Sequence, residues 1–167
     1  RLHTNLSKQE ARERAAKILQ QVGIPDPERV LKNYPHQLSG GMSQRVMIAM
    51  AMSCSPKVIL ADEPTTALDV TIQAQIFELM DRLKKENDTA IVLITHDMGV
   101  VGEMADDIIV MYMGNVIESG TAREVLKNPV HPYTRALLAS IPVLGRGKEQ
   151  RIEPIRGMTP NPYTRPK

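Results

Sequence analysis

The sequence predicts an α/β fold, a helical segment followed by part of a mostly parallel sheet, and three observations carry that expectation. KVILAD (57–62) and TAIVLIT (89–95) are short, unbroken apolar runs of the kind that form strands covered on both faces. Between them, Asp69 stands as the N-cap of a long helix whose Ile72, Ile76, Leu79, Met80 and Leu83 share a face. Everything before Pro56 reads as helix and turn. A strand, helix, strand crossover is right-handed in nearly all cases and places both strands in one sheet with their C-terminal ends on the same edge. In open α/β sheets that edge is where ligands bind. Asp62, Glu63 and His96 sit at it.

The upstream helices follow from their caps. Ser7 and Glu10 form an S-x-x-E capping box ahead of Ala11, Ala15, Ile18 and Val22, and Gly23 ends that helix. Asp26 and Pro27 start a short second helix, which Pro35 stops. LSGGMSQR (38–45) opens a third, with Met47, Met50, Ala51 and Cys54 as its expected buried stripe. Downstream, residues 106–119 read as two strands joined by a turn at Gly114-Asn115. Two short helices around TAREVLKN and PYTRALLAS follow. From about residue 145 the glycines and prolines predict an extended tail.

Composition narrows the function classes. A hydrophobic content of 42% over 167 residues is ordinary for a globular fold, and no run approaches the roughly eighteen apolar residues that span a bilayer. The single cysteine, Cys54, excludes internal disulfides and agrees with a reducing compartment. The net charge is +2, with the basic excess gathered in residues 145–167. With no tryptophan and one phenylalanine there is no aromatic stacking platform, so no nucleic-acid partner is expected.

Two constellations carry chemistry. Ser39, Gly40 and Gly41 begin a helix with small residues, and helix N-termini bind anions because their first amides lack partners and the macrodipole is positive there. The glycines are expected to clear the path for a phosphate. Asp62-Glu63 leave the first strand as adjacent acids: one can hold Mg²⁺ directly or through water, and the other can deprotonate an attacking water. His96 is placed to hydrogen-bond a terminal phosphate.

LSGGMSQR resembles the signature sequence of ATP-binding-cassette (ABC) ATPases. VILADE is similar to their Walker B strand with its catalytic glutamate, TTALDV to their D-loop, and ITHD to their switch-histidine loop. HPYTRALLASIP and the later PNP stretch resemble the ATPase subunits of bacterial dipeptide and oligopeptide importers. The resemblance implies a partial P-loop NTPase domain: residues 1–55 a helical subdomain with the signature, 56–127 the C-terminal part of the ATPase core, and 128–167 a family-specific segment and tail. It implies ATP and Mg²⁺ as cofactors, with Ser39, Gly40, Gly41 and Gln44 at the γ-phosphate of an ATP held by a second ATPase subunit. Asp62 belongs in the Mg²⁺ shell, Glu63 is the general base, His96 meets the γ-phosphate, and Asp69 bridges the subunits. Permease subunits and the cytoplasmic face of the membrane complete the implied setting.

No lysine here is followed by serine or threonine, so the P-loop motif G-x-x-x-x-G-K-[ST] is absent. The chain is therefore expected to be the C-terminal part of such an ATPase, inactive alone. The alternatives are a nickel-importer ATPase, a chromosome-maintenance ATPase and a non-enzymatic assembly piece.

Overall fold

The computed structural model describes residues 5–141. The chain divides into two compact units, Arg1–His96 and Asp97–Lys167.

The first unit opens with α1 (Lys8–Gln21), started by the expected capping box: Ser7 Oγ accepts from the Glu10 amide at 3.3 Å while the Glu10 carboxylate accepts from the Ser7 amide at 2.8 Å. It ends in a Schellman turn. Gly23 takes φ 80°, its amide donates to the Gln20 carbonyl, and the Ile24 amide donates to that of Leu19. The short α2 (Pro27–Val30) is capped by Asp26, and a 3₁₀ turn at Pro35–Gln37 leads into α3 (Gly40–Met52). Then come β1 (Val58–Asp62), α4 (Val70–Asn87) and β2 (Ala90–Ile94). The core of this unit joins Leu19, Val22, Ile24 and Val30 to Ala49 and Met52 of α3 and to Leu79 and Leu83 of α4.

Two expectations are corrected here. The buried stripe of α3 is Ala49 and Met52, with Met42, Val46 and Ile48 packed partly against the core. Met47 and Met50 are 59% and 67% exposed, and Ala51 and Cys54 are exposed as well. The helix is apolar on nearly every side, so its spacing does not select a face; contact with α1 does. The strands are also not covered on both faces. β1 and β2 pair in parallel, Val58 opposite Ala90 through Asp62 opposite Ile94. Ile59, Ala61, Ile91 and Leu93 point to the covered side, while Val58, Leu60, Val92 and Ile94 stand about half exposed or more. Alternation along each strand makes that division automatic.

The second unit holds α5 (Met98–Met104), a hairpin of β3 (Asp107–Tyr112) and β4 (Asn115–Thr121), α6 (Ala122–Lys127) and α7 (Pro132–Ala139). The turn falls on Met113-Gly114, one residue earlier than expected, and both residues have positive φ, 51° and 76°. That is the conformation a two-residue type I′ turn requires. The Glu118 carboxylate accepts from the amides of Val130 at 2.7 Å and His131 at 3.0 Å, tying β4 to the start of α7. The tail expected from about residue 145 lies outside the described residues. No helix among the described residues is long and apolar enough to cross a membrane.

Candidate functional site

Strand register builds the site. With Asp62 opposite Ile94 in the parallel pair, the next residues along both strands emerge together at the C-terminal edge, and the Glu63 amide still donates to the Ile94 carbonyl at 2.9 Å. Glu63 then turns through φ 46°, a left-handed conformation that costs a non-glycine residue on the order of 1 kcal/mol or more. Its carboxylate meets His96: Oε1 lies 2.6 Å from Nδ1, although the two residues are 33 apart in sequence. An ionised carboxylate can only accept, so Nδ1 is the donor. The second oxygen, Oε2, accepts from the Thr66 hydroxyl at 3.2 Å.

The hydrogen bond from His96 holds the Glu63 carboxyl below the ordinary carboxylate range, against the opposing effect of desolvation; the charge of His96 and the Thr66 hydroxyl add to the lowering. Glu63 is therefore ionised at neutral pH and oriented at both oxygens, as a proton acceptor must be. Its side chain is 38% exposed, so a water can reach it. Thr66 was not singled out from the sequence. The available signal was a hydroxyl three residues after an acid, the spacing at which side chains in a turn meet.

Asp62 is exposed at the end of β1. Among the described residues no three His, Cys, Asp or Glu side chains are grouped to hold a metal ion. The donor set suits Mg²⁺ in the form of a cation held by one or two carboxylates, with waters and phosphate oxygens filling the remaining positions. Gln44 is half-buried and lines, with Asp62 and Pro64, a mostly apolar cavity of about 260 Å³ between α3, β1 and α4.

The start of α3 forms a second group. Ser39 is exposed and caps the helix, its Oγ accepting from the Met42 amide at 3.4 Å. The glycines have a packing reason that the sequence did not reveal. A Cβ on Gly41 would stand 2.9 Å from Ile72 Cγ2, and one on Gly40 would stand 3.3 Å from Leu68 Cδ2. Those positions let α3 lie directly on the turn into α4. Asp69 caps α4, with Oδ1 accepting from the Ile72 amide at 3.0 Å, and is exposed. Neither Gly41 nor Glu63 is sealed inside the fold; both are half-buried.

Comparison with known proteins gives these groups a context. The ABC transporter family profile matches residues 1–66, and the profile described as oligopeptide/dipeptide transporter, C-terminal region, matches residues 117–167. The chain is 55% identical over 164 residues to the oligopeptide transport ATP-binding protein AppD of Bacillus subtilis, and 54% identical over 164 residues to the dipeptide transport ATP-binding protein DppD of Haemophilus influenzae. Each of those alignments takes in 98% of this chain, so the chain spans about half the length of these relatives, 50% and 49%. It is also 59% identical over 148 residues, 89% of the chain and 24% of the relative, to the glutathione import ATP-binding protein GsiA of Escherichia coli. Among solved structures, the fold is similar to a dimeric bacterial ABC transporter cassette, with TM-score 0.61 and 36% identity over 72% of this chain and 51% of that one. A post-hydrolysis cassette bound to ADP and Pi is similar at TM-score 0.62, with the same identity and coverage. The chain belongs to the ABC transporter ATPase family and carries, over residues 117–167, the C-terminal region of oligopeptide/dipeptide transporters.

Proposed function

We propose that this chain carries the hydrolytic edge and signature helix of an ATP-hydrolysing subunit that powers import of dipeptides or oligopeptides. It acts with a second ATPase subunit and with transmembrane permease subunits at the cytoplasmic face of the membrane. The observation that supports this best is the 2.6 Å contact between Glu63 and His96 at the end of a parallel strand pair. Glu63 accepts a proton from the attacking water, His96 and Thr66 hold its carboxylate in place, and Asp62 serves the Mg²⁺ shell. The bound MgATP supplies the phosphoryl group that the water attacks. Ser39, Gly40, Gly41 and Gln44 face the γ-phosphate of the ATP on the opposite subunit, and Asp69 bridges the two subunits.

Peptide-sized cargo is supported by the match over residues 117–167 and by relatives named for oligopeptide, dipeptide and glutathione transport. Without a P-loop lysine, this stretch of polypeptide alone neither binds ATP tightly nor turns it over. In the intact, paired subunit, Glu63→Gln is expected to lower the ATPase rate by on the order of 10² to 10⁴ with ATP binding retained. A rate equal to that of the parent protein would remove Glu63 from the chemistry. Ser39→Arg is expected to abolish the composite site.

A further inference from the structure

Helices α1 and α3 exchange arginines. Arg45, in the second turn of α3, donates from Nη1 to the Val22 carbonyl at 2.7 Å and from Nη2 to Gln75 Oε1 on α4 at 3.2 Å. In the opposite sense Arg14 of α1 donates to the Ser53 carbonyl, at the end of α3, at 2.9 Å. Each guanidinium therefore sits on C-terminal carbonyls of the other helix, where orphan acceptors and the negative end of the macrodipole coincide. The last turn of α1 has no basic residue of its own. Val22 is fully buried, so the acceptor of Arg45 is anchored in the core. Gly23 is fitted to the same contact: it takes φ 80°, and a Cβ there would stand 2.9 Å from Arg45 Nη1.

We propose that Arg45 is a positioning residue that locks α3 axially to the end of α1 and laterally to α4, and so sets where the Ser39–Gly41 amides stand. The proposal rests on the trans-phosphate role given to that helix start above. Ser39 lies six residues upstream, about 9 Å along the helix, so any slide of α3 carries it rigidly. A guanidinium fork can hold two acceptors in fixed geometry, whereas a lysine ammonium is a single point charge on a flexible stem.

The test uses the intact ATPase assembled with its partner, comparing Arg45→Ala, Arg45→Lys, Gly23→Ala and Gln75→Met, with Ser39→Arg as the reference for the trans-phosphate role. Arg45→Ala and Gly23→Ala are expected to lower kcat/KM for MgATP by roughly 10- to 100-fold. That loss should persist well below the melting temperature, while the unpaired subunit keeps its affinity for a fluorescent ATP analogue. Arg45→Lys should recover only part of it. If Ser39→Arg is inactive but Arg45→Ala and Gly23→Ala lower only Tm and keep kcat/KM within about twofold, Arg45 merely stabilises the fold and the proposal is overturned alone. Full activity in Ser39→Arg overturns the trans-phosphate role itself. Should Arg45→Ala fail to fold, Gly23→Ala and Gln75→Met decide by the same criterion.

Discussion

Gly41→Ala separates two explanations of the glycine-led helix. By helix propensity alone the change stabilises, by about 0.5–1 kcal/mol, because alanine loses less backbone entropy than glycine. The structure opposes it. The new Cβ would sit 2.9 Å from Ile72 Cγ2, where carbon pairs settle near 3.5–4.0 Å. Either α3 and α4 separate by roughly 0.6–1 Å, or Ile72 leaves its rotamer. A β-branched side chain in a helix has one strongly preferred χ1, and leaving it costs about 0.5–1.5 kcal/mol. Overpacking of this kind typically costs about 1–3 kcal/mol. The net expectation is destabilisation by about 1–2 kcal/mol, read as a lower urea midpoint and a Tm lowered by about 2–4 °C per kcal/mol at this size. Ile72→Leu removes the branched methyl and should relieve most of the loss in the double variant. A stabilised Gly41→Ala protein, or no relief from Ile72→Leu, would refute the packing account and return the glycines to phosphate access alone.

Further tests address the site and the hairpin. The folded-state pKa of Glu63 is depressed, so its ionised pair with His96 is present above the unfolded carboxylate value and lost as pH falls through the folded one. His96→Ala removes the main cause, and the acid limb of kcat/KM in the intact enzyme should move up toward the ordinary carboxylate range; an unmoved limb would show that His96 does not set it. Thr66→Val deletes the donor on Glu63 Oε2 and should lower kcat by less than Glu63→Gln does, whereas a loss as large as that of Glu63→Gln would make Thr66 more than a support. Met113→Gly relieves the left-handed strain at the hairpin turn and should stabilise by about 0.5–1 kcal/mol in thermal melts. A lower Tm there would show that the Met113 side chain contributes more by packing than its backbone costs.

Local chemistry was legible to a large extent. Ser7 with Glu10, Asp26, Ser39 and Asp69 each cap the helix their positions announced, because a cap is a contact over three residues and leaves its mark in a four-letter window. Two parallel strands bracketing α4 were equally plain from apolar run length. What was missed has one cause in each case. Seven residues, Met98–Met104, are too few for a helical period to declare itself, and the Asp97 cap that starts them is the last residue of the ITHD motif, so α5 went unread. The hairpin turn moved by one residue because Gly114 takes the second left-handed position and methionine the first.

By itself, then, the sequence determined where the capped helices α1 to α4 begin, which acids leave the first strand, and the motif order that marks the family. Only the tertiary structure decided which face of α3 is buried, that Gly41 clears Ile72, that Arg45 reaches the end of α1, and that His96 clasps Glu63. Caps and apolar runs are set by neighbours along the chain. The others depend on how two helices or two strands are registered against each other, and that is settled by packing across 20 or more residues of intervening chain.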